Sequence, residues 1–264
     1  MPMSSRPAIL ITGAAAGTGR AAAERFARAG WFVGLYDLDE AGTQELQQQL
    51  RSDQGIAGRL DVAQADDWQA ALDVFFQASG QRLDVLLNNA GVAVSTPFEQ
   101  APLARHHLVV DVNLKGVING CHAAHPYLKK TPGSRVINMC SASALYGQPE
   151  LASYAATKAA VRSLTEALDI EWRRQGIRVV DILPLFVNTA MVSDEVGSMK
   201  TVQALGVRLE AKDVARSIWD IATGPQKHLP VHTYVGLQTK VFAVLSKLSP
   251  AFMNRWVTAR MAGY

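Results

Sequence analysis

Read for the spacing of its apolar positions, the chain alternates short apolar runs with longer amphipathic stretches. A-I-L-I-T at residues 8–12 is closed by T-G-A-A-A-G-T-G at 12–19, after which R-A-A-A-E-R-F-A-R-A-G has helical spacing. A second run, W-F-V-G-L-Y, ends at Asp37. A polar helix is expected from near Asp39 through Arg51, then a strand at I-A-G-R-L leading into Asp61-Val62, then a helix over 65–78. L-D-V-L-L at 83–87 has the continuous apolar character of a strand buried on both faces, and it runs into N-N-A-G at 88–91. A long helical pattern covers 103–130. The strand S-R-V-I-N-M-C follows, then a helix over 151–175 stopped by Gly176, and I-R-V-V-D-I-L ends at Pro184. From Leu185 to near Val207 the pattern reads as weakly ordered, with spaced Met, Val and Leu; a helix over 211–223 and a strand near L-P-V-H-T-Y-V come after it.

Seven strands alternating with at least six helices, without a Pro/Gly/Ser linker or an internal repeat, predict an α/β fold. The expectation is a single doubly wound domain over 1–264, with a parallel sheet of about seven strands and helices on both faces. Residues 185–210 are expected to form the substrate-loop region and 238–264 a C-terminal amphipathic helical extension.

Composition narrows the function classes. At 264 residues, 48% hydrophobic and 19% charged, the chain has enough apolar content for one large core, which excludes disorder. A net charge of +3 without a basic run interleaved with aromatics argues against nucleic acid as partner. Cys121 and Cys140 cannot make a disulfide framework, and M-P-M-S-S-R-P-A-I-L lacks the long apolar core of a signal peptide, so a reducing, cytoplasmic location is expected. The charge is unevenly spread. Asp220 is the last acid, and Lys227, Lys240, Lys247, Arg255 and Arg260 give the final 44 residues +5.

The glycine turn supplies the first candidate chemistry. Strand, glycine turn and helix make a phosphate-binding unit: Gly13 permits a tight turn, while Gly17 and Gly19 let backbone and helix approach a pyrophosphate at a helix N-terminus. Asp37 lies 18 residues past Gly19, close to the ~20 expected of the acid that binds the adenosine ribose. A carboxylate there repels a 2′-phosphate, and Arg20 falls inside the helix pattern, so NAD is expected over NADP; the competing reading is that Asp37 caps the next helix. Asn113 stands mid-helix, where asparagine has no propensity reason to be, which suggests a buried polar role. Tyr154 and Lys158 are i and i+4, one turn apart on one helix face. A neighbouring ammonium favours the phenolate and brings a tyrosine towards the working range.

In order and interval, T-G-x3-G-x-G, Asp61-Val62, N-N-A-G, Asn113, Ser141 and Y-A-A-T-K resemble the short-chain dehydrogenase/reductase family over nearly the whole chain. The resemblance implies a Rossmann-type sheet binding NAD(P), with Tyr154 as proton donor and acceptor, Ser141 polarising the substrate oxygen, and Lys158 binding the nicotinamide ribose and lowering the tyrosine pKa. It implies a relay water at Asn113, adenine contacts at Asp61 and Val62, and a cofactor lining that includes Thr18, Asn89, Ala90, Gly91 and Pro184. Val187 and Thr189 would meet the carboxamide. Two residues depart from the family's pattern: Thr18 stands for Ile or Leu, and Leu185 follows Pro184 where glycine is usual. A homodimer or homotetramer through 103–130 and 151–175 is also implied.

The expected reaction is hydride exchange between NAD(H) and a secondary alcohol or ketone. An NADPH-dependent carbonyl reductase and a non-catalytic dinucleotide-sensing or scaffold protein are the alternatives. Ser143, Leu145, Tyr146, Leu185, Met191, Val192, Met199 and Leu205 are expected near the substrate; their apolar character points to a steroid, terpenoid, aryl or longer aliphatic small molecule. Cys140 has no local base and reads as a buried strand thiol. His106, His107, His122 and His125 lack acidic or thiol companions, so no metal is expected. In the tail, Val241, Val244, Leu245 and Leu248 share one helix face and Phe252, Trp256 and Val257 another. These faces are open to three roles: covering the pocket, packing on a neighbouring subunit, or weak contact with a membrane surface through 238–264.

Overall fold

Strand and helix alternate along the chain as the apolar pattern expects. The computed structural model describes residues 6–51 and 53–264; the opening M-P-M-S-S, part of the stretch read for a leader, lies outside the described residues. In order come β1 (Ala8–Thr12), α1 (Gly17–Arg28), β2 (Phe32–Asp37), α2 (Glu40–Gln49), β3 (Gly55–Arg59), α3 (Ala65–Ala78) and β4 (Val85–Asn88). Then follow α4 (Leu103–Val110), α5 (Gly116–Leu128), β5 (Arg135–Met139), α6 (Ala152–Trp172), β6 (Arg178–Leu183), β7 (Val187–Asn188) and α7 (Lys200–Leu205). The chain closes with β8 (Leu209–Glu210), α8 (Ala211–Thr223), β9 (His232–Tyr234), α9 (Leu237–Leu248) and α10 (Ala251–Ala262).

Among the described residues the main sheet has seven strands in the order β3-β2-β1-β4-β5-β6-β9, all pairs parallel. Strand alternation sorts the core into two layers. Ala8 and Leu10 of β1 face Trp68 and Leu72 of α3, Val117 of α5 and Val161 of α6. Ile9 and Ile11 face Phe26 of α1, Leu46 of α2 and Ile218 of α8. A sheet covered on both sides needs apolar residues at every position, which is why β1 is buried throughout. The order reverses at β1, so the chains leaving β1 and β4 diverge and open a crevice at the carboxyl edge.

Two stretches differ from expectation. The 103–130 helix is continuous in direction but is interrupted by a π-turn at Asp111–Lys115, and Asn113 sits in that turn. Such a turn adds a residue to the helix and marks a place where side-chain demands override regular hydrogen bonding. The segment after Leu185 is ordered, contrary to its weak pattern. Val187 pairs with Leu209 and Asn188 with Glu210 in a small parallel ribbon. Phe186, Val196, Met199 and Val202 bury themselves with Ala93 and Leu151 in a third apolar cluster. No periodicity announces it because Leu151 and Ala93, its partners, lie 35 or more residues earlier in sequence.

Candidate active site

The crevice is a cleft of about 360 Å³ at the carboxyl edge of the sheet. At the start of the glycine turn the buried Thr12 hydroxyl accepts from the backbone N–H groups of both Asn89 and Ala90 at 3.1 Å. The Asn89 amide donates in turn to the carbonyls of Thr12 at 3.0 Å and Gly13 at 3.1 Å. The glycine turn is therefore clamped to the end of β4 by side-chain bonds. Thr12 and the clamping role of Asn89 were not anticipated; a hydroxyl immediately before the first glycine was the available signal.

The three glycines have different reasons. Gly13 has φ +67°, and a Cβ there would meet the Asn89 amide at 2.8 Å. Gly17, at φ +53°, lies on the cleft wall against Thr189. Gly19 is buried in α1, where a Cβ would fall 2.0 Å from the Gly13 carbonyl oxygen. It packs the helix against the turn, and it does not line the cleft.

Of the remaining expected cofactor residues, Thr18, Asp37, Asp61, Val62, Asn89, Ala90, Gly91, Pro184, Val187 and Thr189 all line the cleft. The Asp37 carboxylate accepts from the N–H groups of Ala15 at 3.0 Å and Asp39 at 3.1 Å, which aims it along the wall at the end of β2. It does not cap α2; Asp39 does, accepting from the Gly42 N–H. Arg20 is turned to Gln49, Glu24 and Glu45, and among the described residues no ion pair engages Asp37. An anionic ligand carrying ribose hydroxyls fits this donor and acceptor set: the amino end of α1 and the cradle at Gly17 on one side, a carboxylate on the other.

Opposite this wall, β5 delivers Ser141 and α6 delivers Tyr154 and Lys158 to one place. The Ser141 hydroxyl accepts from the Ser143 N–H at 3.2 Å and hydrogen-bonds Tyr154. The Lys158 ammonium is buried, donates to the Met139 carbonyl at 2.8 Å, and lies 5.5 Å from the Tyr154 ring centre. Gly91 faces the same point, since a Cβ there would approach the Asn113 amide oxygen at 3.3 Å and the Lys158 ammonium at 3.8 Å. Burial pushes the Tyr154 phenol up to about 12, against a lowering by the Ser141 hydrogen bond. Loss of solvation is the larger of these two effects on the phenol. Burial also lowers Lys158 to about 8.

Asn113 is fully buried and outside the cleft lining. Its amide accepts from the Val92 N–H at 2.8 Å and donates to the Val92 carbonyl at 2.9 Å, so the π-turn is tied to the loop after Gly91. Both ends of the side chain are thereby engaged.

The expected substrate residues divide. Leu185, Met191 and Val192 line the cleft and rest on the third apolar cluster, as does Tyr154. Met199 is buried core of that cluster, and Leu205 packs on it outside the cleft. Ser143 is buried and its hydroxyl has no partner. Leu145 and Tyr146 lie away from the cleft, Tyr146 bonding Gln148 and packing edge-on against Phe242 of α9. Cys140 is buried, donates to the Lys158 carbonyl, and burial pushes its thiol up to about 12; Cys121 behaves likewise. His106 is held by Ser153 and the Phe98 carbonyl, and His125 by Gln175. Among the described residues no group of three or more His, Cys, Asp or Glu is arranged to hold a metal ion. No helix there is long and apolar enough to cross a membrane.

Comparison with known proteins agrees with this geometry. The short chain dehydrogenase family model matches residues 7–199. Sulfoacetaldehyde reductase 2 of Chromohalobacter salexigens is 34% identical over 234 residues, covering 86% of this chain and 90% of that protein. The 3beta-hydroxysteroid dehydrogenase 1 of Eggerthella lenta is 34% identical over 192 residues, 71% of this chain and 73% of that protein. Among solved structures, the 3-ketoacyl-(acyl-carrier-protein) reductase of Brucella melitensis complexed with NADH superposes with a TM-score of 0.81 at 28% identity, covering 89% of this chain and all of that one. The parallel order of the sheet, the clamped glycine turn and the extent of these matches place the chain in the short-chain dehydrogenase family, as an NAD(P)-dependent oxidoreductase of alcohols and ketones.

Proposed function

We propose that the protein exchanges hydride between NAD(H) and a hydrophobic secondary alcohol or its ketone, with Tyr154 as the acid and base. The observation that carries this reading is the convergence of Ser141, Tyr154 and Lys158 beside a cleft wall made of Leu185, Met191 and Val192. When bound, the nicotinamide takes or returns the hydride. The chain's residues manage the proton and the position. In oxidation the substrate hydroxyl gives its proton to the Tyr154 phenolate as the carbinol hydrogen leaves with its electron pair; in reduction Tyr154 returns that proton to the carbonyl oxygen. Ser141 holds the same oxygen by a hydrogen bond, and Lys158 keeps positive charge near the phenol. The Asp37 carboxylate, with Arg20 drawn away, supports NAD over NADP because a 2′-phosphate there meets a like charge. The proposed polarity of substrate rests on the apolar wall alone; the named substrates of the two relatives span sulfoacetaldehyde and a 3β-hydroxysteroid.

Assembly belongs to the same reading. Leu103, Leu108, Ile118 and Ile170 are exposed on α4, α5 and α6, which supports pairing through these helices; light scattering on the purified protein measures it. The function is tested by turnover with NAD⁺ on a panel of steroid, aryl and aliphatic secondary alcohols beside sugars and short diols, with Tyr154→Phe as control. Turnover should favour the hydrophobic members and fall by about 10² to 10⁴ in the variant with NADH binding intact. A preference for polyols overturns the substrate class, and an active phenylalanine variant overturns the role of Tyr154.

A further inference from the structure

The last two helices hold a surface that the reaction does not use. None of their residues lines the cleft, so they do not cover it. On α9, Leu237, Val241, Val244, Leu245 and Leu248 form one stripe at i, i+4, i+7, i+8 and i+11, and every one is exposed, Leu248 at 77%. On α10, Phe252, Met253, Trp256 and Val257 are exposed as well, Phe252 at 72% and Trp256 at 65%. The two helices are fixed to each other: the Asn254 amide donates to the Ser246 carbonyl at 2.8 Å and the Ser249 carbonyl at 3.4 Å, capping the end of α9 from α10. The hairpin is anchored to the rest of the molecule through Phe242 on Tyr146 and Gly263 against Lys200.

Charge decides what this face suits. Lys240 and Lys247 flank the α9 stripe, and Arg255 and Arg260 are exposed on α10 among its aromatics. No hydrogen bond or ion pair engages these four side chains among the described residues, and no acid follows Asp220. A second copy packed on the same face by a two-fold axis would set these cations against each other without a counter-charge. An apolar stripe with tryptophan and phenylalanine, edged by free lysines and arginines, on helices too short to span, matches the interface between headgroups and acyl chains. We infer that the exposed face of the α9–α10 hairpin docks on the surface of an anionic phospholipid bilayer. The surface would lie at the depth of the headgroups, with Phe252 and Trp256 inserted and the cations at the phosphates.

The test is co-sedimentation of the full chain with vesicles of phosphatidylcholine alone and of phosphatidylcholine containing a third phosphatidylglycerol, at low and high salt. Binding to the anionic vesicles, weakened by salt, is expected. Leu245→Glu with Trp256→Glu should abolish it, and Lys240→Gln, Lys247→Gln, Arg255→Gln and Arg260→Gln together should weaken it roughly tenfold or more. An unchanged melting temperature checks that each variant is folded. Should either fail that check, quenching of tryptophan fluorescence by brominated phosphatidylcholine in the intact protein, compared with Trp256→Phe, reads insertion directly. Absence of binding, equal binding to neutral vesicles, variants that bind like the parent, or unquenched Trp256 overturns the inference. A concentration-dependent oligomer that Leu245→Glu dissociates, without vesicle binding, also overturns it and assigns the face to self-association.

Discussion

Around Gly13 and Gly19 the cleft is shaped by main chain pressed on main chain, whereas around Leu185 and Met191 it is shaped by apolar side chains resting on one another. On the first wall the Gly13 carbonyl occupies the space a Gly19 Cβ would fill, and Asn89 spans Thr12 and Gly13. On the second, Leu185, Met191 and Val192 lie over Phe186, Val196, Met199 and Val202. Backbone contacts of that kind tolerate no extra atom, while an apolar cluster can be repacked at constant volume. A rigid wall suits a ligand that does not change and a repackable one suits a substrate that differs between relatives.

The hardest break of the comparison is Gly19→Ala. A Cβ 2.0 Å from the Gly13 oxygen forces the turn off Asn89, so a stability loss of about 3 kcal/mol or more is expected, with NADH affinity falling about a hundredfold. Calorimetry and fluorescence titration measure both; an unaltered affinity contradicts the packing role. Next is Asp37→Ser, expected to shift the ratio of NADH to NADPH affinity by about tenfold towards NADPH, since it removes one like-charge repulsion and leaves the Ala15 N–H to bind phosphate. Paired titrations read it.

Leu185→Gly probes the other wall. It should change relative kcat/KM between a bulky and a short secondary alcohol by about tenfold while leaving NADH affinity in place, because Leu185 rests on side chains and not on the glycine turn. A loss of NADH binding instead would show the two walls to be mechanically one.

The smallest effect is with pH. Tyr154 lies near 12, so below that value phenolate increases as pH rises, and alcohol oxidation should increase with it from pH 7 to 9 until a step other than proton transfer limits turnover. Loss of the Lys158 charge above about 8 works against the phenolate and should flatten the rise. Ketone reduction, which needs the protonated phenol, should hold level from pH 7 to 9, because a phenol near 12 stays protonated throughout that range. A Lys158→Met variant should lack the flattening.

How much of the site could be read in advance follows from how local each cause is. Tyr154 and Lys158 share a helix face by spacing alone, and the burial of β1 on both sides is written in its uninterrupted apolar run. Asn113 was noticeable for being in the wrong place, yet its purpose lies in Val92, 21 residues earlier, which no helical pattern encodes. Met199 and Leu185 looked alike as apolar residues near a pocket; one is core and the other wall, and the difference depends on which side meets Ala93 and Leu151. Gly17 and Gly19 were likewise indistinguishable until the turn had a position.

Ser141 came from the family resemblance; by itself the sequence determined the order of strands and helices, the glycine turn at the end of the first strand, and the shared helix face of Tyr154 and Lys158. Those depend on periodicity and on backbone angles that few residues accept, both local properties. The tertiary structure alone decided that burial raises the Tyr154 phenol, that Asn113 spends its amide on Val92, and that the last two helices leave their apolar faces uncovered. Solvation and hydrogen-bond partnership are set by whatever segment folds against a residue, and in this chain that segment is rarely its neighbour.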